Sequence, residues 1–207
     1  NYALEHGYTV AEVDALTGPL IGRPKTATIL LFDLIGADIM VHVNRNLYPA
    51  IPDDEAREVL VHPHTTALMQ RMLDAGLLGN KVGQGFYKRV DKPDGEREFW
   101  ALNLETLEYE PPQKVRFASV GEHRGIEDVG ARIKALVNAD DRAGQFLWHL
   151  HAFTVTYAAR RLGEIADDIP AIDNATRWGS NHALGPFEIW DALGVAETIP
   201  RLEADGY

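Results

Sequence analysis

Two segments of this 207-residue chain read alike, and that internal similarity constrains the fold more than any other feature. The later segment ends in the eighteen residues from Arg177 to Gly194, and a looser copy lies between Asp14 and Gly36. A single-residue gap aligns them, because the acidic start matches at an offset of 159 and the endings match at 158. The matched pairs are Asp14 with Asp173, Asp33 with Asp191, and Gly36 with Gly194. Two such strings in register predict a duplicated unit.

Helical patterns dominate both halves of the chain. Thr9-Val-Ala-Glu12 is typical of a capping box and predicts a helix over Val10–Thr17. Apolar spacing predicts further helices over 26–35, from Asp38, from Thr65 to Gly76, over 127–137 and over 142–162. Within the 142–162 helix, the buried stripe is predicted to be Phe146, Leu150, Phe153 and Tyr157. Asp38 and Asp168 are predicted N-caps, Gly36 a left-handed C-cap and Pro186 a helix start.

A short hairpin interrupts the helical pattern. Asp94-Gly95 lies between the strand-like runs 84–89 and 98–102, and residues 107–109 suit a third strand. The polar stretch that follows, through Arg124, has no periodicity and reads as a linker. The predicted organisation is a first helical unit with the hairpin over residues 1–110, a linker over 111–125 and a second helical unit over 126–207.

Composition excludes several function classes. The chain has no cysteine, which rules out disulfides and thiolate chemistry and fits a reducing, cytoplasmic location. No apolar run reaches the length of a membrane span. The net charge of −11 repels phosphate backbones, so nucleic-acid binding is not expected.

Several local patterns imitate binding or catalytic motifs. Gly79, Gly83 and Gly85 do not have the spacing of a phosphate loop and are interpreted as tight-turn residues, with positive φ at one or more of them. The pairs His62/His64 and His149/His151 have no nearby third ligand in the sequence, so no metal site is predicted. His149 and His151 are expected to flank a core stripe, with one of them near the surface.

Three further sets of residues admit more than one interpretation. Ser180 and His182 are too close in one loop to form a catalytic triad. Asp33 and Asp191 are expected to be buried carboxylates that accept backbone N–H groups at a nearby helix start, rather than an acid/base pair. Three tryptophans suit either a helix interface or stacking on a ligand, and the sequence leaves that choice open: Trp148, Trp178 and Trp190.

The aligned segments resemble the C-terminal domain of the 3-hydroxyacyl-CoA dehydrogenases, which occurs twice in tandem in longer members. The first copy carries the resemblance in Gly22–Thr28, Asp33–Gly36 and Lys81-Val-Gly-Gln-Gly-Phe-Tyr87, and the second in Arg177–Gly179 and Gly185–Gly194. The resemblance implies a mainly α fold of two tandem units like the C-terminal domain of 6-phosphogluconate dehydrogenase, joined by the hairpin and linker.

The same resemblance implies oxidation of 3-hydroxyacyl-CoA to 3-ketoacyl-CoA with NAD in fatty-acid β-oxidation. The family's NAD-binding Rossmann domain and its catalytic His/Glu pair have no counterpart between Asn1 and Tyr207, so no catalytic or cofactor-binding residue is assigned and the isolated chain is expected to be inactive. Because the family's acyl pocket lies between its two domains, Arg23 and Pro24 are the expected substrate-binding residues.

The expected partners are an acyl-CoA substrate and the Rossmann domain of the same polypeptide, and the sequence leaves room for a homodimer. Two alternatives stay open. One is a helical scaffold or oligomerisation module without activity. The other is the C-terminal domain of another Rossmann-linked dehydrogenase, which the motif Lys81–Tyr87 disfavours.

Overall fold

A computed structural model describes residues 1–207 as a mainly α protein with one small sheet, as predicted. The chain divides into two compact units. The first unit comprises Asn1–Ala15 and Thr26–Val115, and the second comprises Leu16–Lys25 and Arg116–Tyr207. The predicted bounds of 1–110, 111–125 and 126–207 remain predictions. The structure adds that the short segment Leu16–Lys25 groups with the second unit.

Eleven α-helices and three strands follow one another along the chain. In order, the elements are α1 (Tyr2–Glu5), α2 (Val10–Thr17), α3 (Ile29–Ile35), α4 (Ala37–Ala50), α5 (Pro63–Asp74), β1 (Tyr87–Asp91), β2 (Arg97–Leu102), β3 (Tyr109–Glu110), α6 (Ala118–His123), α7 (Val129–Val137), α8 (Arg142–Arg161), α9 (Ile169–Ser180), α10 (Pro186–Leu193) and α11 (Val195–Ala204). Short 3₁₀ turns occupy Pro19–Ile21, Arg57–Val61 and Asn80–Val82.

The predicted capping box forms at the start of α2 in the first unit. The backbone N–H of Glu12 donates to Oγ1 of Thr9 at 3.2 Å, and the N–H of Thr9 donates to Oε2 of Glu12 at 2.9 Å. Two otherwise orphaned donors are thereby satisfied, and α2 starts at Val10 as expected. The core of this unit surrounds the fully buried Met72 of α5. Its other buried members are Val10, Ala37, Leu68, Met69, Leu77, Phe86 and Leu102.

The predicted hairpin forms, but its first strand starts later than expected. β1 pairs antiparallel with β2, with Tyr87 opposite Ala101 and Asp91 opposite Arg97, and β2 pairs with β3. Gly95 provides the left-handed turn residue, with φ 84°. Residues 84–86 do not join the strand, because the chain is still turning after the left-handed Gly83.

Two predicted caps around α3 and α4 are wrong in detail. Gly36 separates the helices alone, with φ 104° and ψ 137°, so it is not the left-handed cap that was expected. Asp38 does not cap α4, because Gly36 is the N-cap residue and Asp38 lies in the first turn. There its carboxylate pairs with the Lys81 ammonium, which lowers the pKa of Asp38.

The second unit is organised around α8, which contacts α7 and α10. The predicted stripe on α8 is wrong in part: Phe146 is buried as expected, but Phe153 is 38% exposed whereas Leu147 and His151 are fully buried. The buried face continues through Val155 and Ala158. The apolar spacing in the sequence predicted the helix itself. The face of α8 that neighbouring helices cover, however, is rotated from the face that carries its largest apolar side chains.

The stretch predicted as linker contains an ordered helix. α6 lies within it, and both the backbone N–H and the hydroxyl of Ser119 donate to Asp141, at 3.1 and 2.9 Å. Asp141 is also the N-cap of α8, accepting from the Gly144 N–H at 3.0 Å. One carboxylate therefore ties α6 to the start of α8. As predicted, Asp168 caps α9 by accepting from the Ala171 N–H at 2.8 Å, and Pro186 is the first residue of α10.

Candidate substrate-side site and its buried carboxylates

Asp14 holds the start of α3 in the first unit. Its carboxylate accepts the backbone N–H groups of Thr28, Ile29 and Leu30, at 3.1, 2.6 and 3.0 Å. These are N–H groups that the first turn of a helix leaves without an internal partner. The Tyr87 hydroxyl also donates to Asp14, at 2.9 Å. The carboxylate of Asp14 thus caps α3 from a position fourteen or more residues earlier in the chain, in place of a neighbouring N-cap side chain.

Asp173 does the same for α10 in the second unit. It accepts the N–H groups of Phe187 and Glu188, at 2.8 and 3.2 Å, and is only 6% exposed. The two capped helices also end alike. Gly36 and Gly194 each close one helix and open the next with a positive φ, 104° and 97°. These two pairs of aligned positions, Asp14 with Asp173 and Gly36 with Gly194, therefore share their local geometry.

Asp33 is buried and accepts backbone N–H groups, as predicted, but not at a helix start. It is 2% exposed, and Phe86 and Tyr87 each donate an N–H to it at 2.7 Å. These amides open β1. Gly85 permits the approach, since a Cβ at that position would lie 2.1 Å from Oδ1 of Asp33. A Cβ at Gly79 would likewise lie 2.4 Å from the carbonyl oxygen of Asp33.

The turn interpretation of the glycines is confirmed. Gly79 and Gly83 have φ of 96° and 79°. Gly85 does not have a positive φ, and it is required instead for the close approach of the chain to Asp33. The run Lys81–Tyr87 is therefore a packing motif, in which small residues let one buried carboxylate reach two amides.

Burial dominates the electrostatics of these carboxylates. It raises the pKa of Asp14, Asp33 and Asp173 above the ordinary value, and their backbone hydrogen bonds partly offset that shift. Burial likewise raises the pKa of Tyr87, with added effect from the Asp14 charge. The pKa of Tyr109, whose hydroxyl donates to the Gly85 carbonyl at 2.6 Å, rises to about 12, mainly through burial.

The prediction for Asp191 is wrong. Asp191 is exposed near the end of α10, whereas its aligned counterpart Asp33 is buried. The first unit has a chain segment, Gly85–Tyr87, that presents two amides to Asp33. In the second unit the buried carboxylate that holds amides is Asp173. Sequence alignment matched the positions, but burial depends on what packs over each one.

Arg23 and Pro24 both lie half-buried in the second unit. The guanidinium of Arg23 is near His151 and His182, and burial lowers its pKa. Burial also lowers the pKa of His151 to about 3 and that of His182 below its ordinary value, and the Arg23 charge adds to both shifts. Neither ring nitrogen of His151 has a hydrogen-bond partner. Arg23 is thus a half-buried cation close to two histidines whose pKa values are lowered.

Hydrogen bonds to two backbone carbonyls hold the loop that carries Arg23 within the second unit. The Ala183 N–H donates to the Gly22 carbonyl at 2.7 Å, and the Arg132 guanidinium donates to the Leu20 carbonyl at 2.7 Å. Gly22 has φ 72°, and a Cβ there would lie 2.8 Å from both Ala183 and Val129. A glycine is needed at this position, which orients Arg23 within the unit.

The remaining candidates separate into core and surface residues. Trp148 and Trp190 anchor the second unit, donating their indole N–H groups to Asp205 at 2.6 Å and Thr198 at 2.8 Å. Trp178 is 78% exposed. Ser180 is exposed at the end of α9 and forms no triad with His182.

The two histidine pairs also differ from each other. Of the pair on α8, His149 is half-buried and His151 fully buried, consistent with the expected core flank. The other pair departs from expectation, because a third potential ligand does lie near His62 and His64. Glu5 lies beside both residues, 57 positions before His62 in the chain.

Comparison with known proteins identifies the class of domain. Residues 1–89 match the family model "3-hydroxyacyl-CoA dehydrogenase, C-terminal domain", so the resemblance drawn from the sequence motifs is confirmed. The homology extends beyond that match. A "Probable 3-hydroxyacyl-CoA dehydrogenase" of Bacillus subtilis is 44% identical over 203 residues, which is 98% of this chain and 25% of that protein.

Two other relatives align over different shares of the chain. A protein of the same name from Deinococcus radiodurans is 42% identical over 86 residues, which is 42% of this chain and 23% of the relative. A Rickettsia prowazekii protein that bears the name of a fatty acid oxidation complex trifunctional enzyme is 25% identical over 190 residues, 90% of this chain and 24% of the relative. The chain therefore spans about a quarter of the length of the relatives it matches.

Two further findings concern solved structures and the possibility of a membrane-spanning helix. No solved structure matches the chain. Among the helices, none has both the length and the apolar character that crossing a bilayer requires.

Proposed function

We propose that this chain is the C-terminal, substrate-side region of a 3-hydroxyacyl-CoA dehydrogenase that uses NAD and acts in fatty-acid β-oxidation. The observation that carries this proposal is the 44% identity over nearly the whole chain to a protein of that name. The names of the Rickettsia relatives support the link to fatty-acid oxidation. A cytoplasmic location is part of the proposal and rests on the absence of cysteine.

The two units are proposed to be tandem copies of one domain. Support comes from the equivalent roles of Asp14 and Asp173, which cap α3 and α10, and of Gly36 and Gly194, which follow those helices. Such a match needs both a common register and a common local fold. A chance similarity of sequence supplies only the first.

The chain is proposed to support catalysis without performing the chemistry. Oxidation of the hydroxyl needs a hydride acceptor beside the substrate and a general base within hydrogen-bond reach of its proton. The resemblance assigns both to a Rossmann domain, and this chain contains no G-x-G-x-x-G turn. Its own contribution is to place apolar helices beside the acyl chain and keep water from the reacting atoms.

An apolar face in the first unit is proposed as the docking surface for that Rossmann domain. α3 and α4 expose Leu34 at 54%, Leu31 at 42% and Ile35 at 40%, followed by Ile39 and Val43 at 45% each. Contiguous exposed apolar side chains on a monomer mark an interaction surface. Because the Bacillus subtilis relative is about four times as long as this chain, a domain of the same polypeptide is the favoured occupant, with a second copy in a homodimer as the other.

Arg23 and Pro24 are proposed to contact the acyl-CoA substrate. Arg23 is a half-buried cation close to His151 and His182, and its charge would attract an anionic group of the ligand. A charge-assisted hydrogen bond from a guanidinium suits a thioester carbonyl or a phosphate oxygen of the substrate. Pro24 holds the backbone next to it rigid.

The test uses the full-length parent enzyme and the isolated chain. In the full-length enzyme, Arg23→Gln should raise the KM for a 3-hydroxyacyl-CoA by about tenfold and change kcat little, since the lost contact binds substrate and transition state alike. Lys25→Gln, an exposed cation in the same loop, is the matched control and should leave both constants unchanged. Equal effects of the two variants would contradict the role of Arg23.

The isolated chain should form no NADH from a 3-hydroxyacyl-CoA above a protein-free control. Turnover by the chain alone would place the catalytic groups within residues 1–207. A full-length parent without any dehydrogenase activity would favour a helical scaffold instead.

A further inference from the structure

Three side chains with metal-ligating atoms meet at the surface of the first unit. They are Glu5 of α1, His62 and His64, and one ligand atom from each lies within 4.8 Å of the other two. We propose that these residues form a binding site for a divalent transition-metal ion of the zinc class. Nothing in the proposed dehydrogenase function requires such an ion, so this site is separate from that function.

The backbone around Pro63 brings the two imidazoles together. Pro63 is the first residue of α5, and the residue before a proline is driven into an extended conformation. His62 accordingly has φ −54° and ψ 127° and lies outside the helix, as its N-cap, while His64 lies inside it. Residues i and i+2 within one helix point in different directions, but His62 and His64 do not share a helix. The ring centroids are 5.6 Å apart, with the planes 79° from parallel.

Contacts near the chain start place the third ligand. Nε2 of His62 lies 3.0 Å from Oε1 of Glu5. The Asn1 side-chain amide donates to the Val59 carbonyl at 3.2 Å, and its oxygen accepts from the Thr65 hydroxyl. These bonds hold α1 against the first turn of α5, so Glu5 stays beside both histidines.

The donor set identifies the class of ion. Two imidazole nitrogens and one carboxylate oxygen are a common set for Zn²⁺, whereas Ca²⁺ and Mg²⁺ prefer oxygen ligands throughout. Ligand atoms of a tetrahedral zinc site are roughly 3.4 Å apart, given metal–ligand distances of about 2.0–2.2 Å. Exposed side chains at Glu5 and His64 can make the small movement that this requires. Three protein ligands leave the fourth position of a tetrahedral site to water.

The other ring nitrogen limits the affinity. Nδ1 of His62 is buried and has no hydrogen-bond partner. Zinc-binding histidines usually donate their second N–H to an outer acceptor, and loss of that bond weakens metal binding by about 10–100-fold. The site should therefore bind Zn²⁺ more weakly than a structural zinc site does. In binding, the ion would replace the direct contact between His62 and Glu5 and link α1 to α5.

The test measures metal binding by the untagged 207-residue chain after chelator treatment and dialysis. Calorimetric titration with Zn²⁺ should show one ion per chain, and Co²⁺ should produce the visible absorption of a low-coordinate site. His64→Gln and Glu5→Gln should each weaken Zn²⁺ binding at least tenfold. His42→Gln removes an exposed histidine of α4 outside the cluster and should bind like the unmodified chain.

Three outcomes would overturn the proposal. These are no saturable binding of Zn²⁺, tight binding that survives in both His64→Gln and Glu5→Gln, or equal loss in His42→Gln. Circular dichroism and thermal melting without metal show whether each variant is folded. The melting temperature should rise with Zn²⁺ in the unmodified chain and in His42→Gln, and much less in the two cluster variants.

Discussion

The hydroxyl of Tyr87 donates a 2.9 Å hydrogen bond to Oδ2 of Asp14, and Asp14 holds the first amides of α3. The last residue of the Lys81–Tyr87 motif thus supports the acidic residue that opens the first aligned segment, 73 positions earlier. This contact links the two sequence features within the first unit. They are parts of one hydrogen-bonded cluster that sets where α3 begins.

Tyr87→Phe should therefore destabilise the chain. The substitution removes one donor to a partly buried carboxylate and should lower the free energy of unfolding by about 1–3 kcal/mol. Urea denaturation measures the change. Tyr48→Phe is the matched control, because the Tyr48 hydroxyl makes a bond of the same length, 2.9 Å, to Glu58 at the surface. If the two variants lost stability equally, the Asp14 cluster would have no special role.

Asp173→Ala should destabilise the second unit, and Asp191→Ala should not. Removing Asp173 leaves the amides of Phe187 and Glu188 without a partner, at a cost of about 1–3 kcal/mol. Asp191 is exposed, so its removal should leave the melting temperature nearly unchanged. Differential scanning calorimetry of both variants decides the matter. A large loss in Asp191→Ala would mean that its carboxylate has a buried role.

His151 should make stability fall in acid. Its folded pKa of about 3 lies below the ordinary 6.5, because the ring is buried near the Arg23 charge. Between those values the unfolded chain binds a proton that the folded chain does not, so lower pH favours unfolding. The contribution of His151 to the free energy of unfolding is fully present above pH 6.5. It is lost as the pH falls toward 3, by up to about 1.4 kcal/mol per pH unit.

Comparison with a variant isolates this contribution from that of the buried carboxylates. His151→Phe keeps an apolar ring of similar size and removes the titration, so its unfolding free energy should depend less steeply on pH between 6 and 4, in denaturant melts at fixed temperature. His42→Gln, at an exposed position, should keep the slope of the unmodified chain. Parallel pH profiles for the unmodified chain and His151→Phe would show that His151 is protonated in the folded state.

Gly85→Ala should be more damaging than Gly83→Ala, although only Gly83 has a positive φ. A Cβ at residue 85 would lie 2.1 Å from Oδ1 of Asp33 and 2.6 Å from Cα of Gly79, so the buried cluster must move. A Cβ at residue 83 meets nothing within 4 Å, and its cost is the left-handed backbone alone, about 1–2 kcal/mol. Chemical denaturation of the two variants should rank them in that order, and the reverse order would contradict the close-approach role.

Local features were predictable because their partners are neighbours in the sequence. Thr9 with Glu12 and Asp168 with Ala171 cap helices across three residues, and Asp94-Gly95 makes its turn within the hairpin. Pro186 begins α10 because proline needs no intrahelical donor there. The family motifs were also readable, since they follow a linear pattern.

Predictions failed where a partner lies far away in the chain. Asp38 is a good N-cap residue, yet it pairs with Lys81, 43 positions later. Asp33 and Asp191 match in sequence, but only Asp33 has amides packed over it. His62 and His64 lacked a third ligand in the sequence because Glu5 is 57 residues away from His62. None of these distant contacts has a signal in local periodicity.

The amino-acid sequence by itself determined the helical class, most caps and turns, the aligned segments and the resemblance of residues 1–89 to a dehydrogenase C-terminal domain. Those properties depend on backbone preferences and on hydrogen bonds within a few residues. Only the tertiary structure decided which carboxylates are buried, which face of α8 is covered, and that Arg23 lies beside His151. Burial and proximity arise when distant segments exclude water together, so a single stretch of sequence cannot specify them.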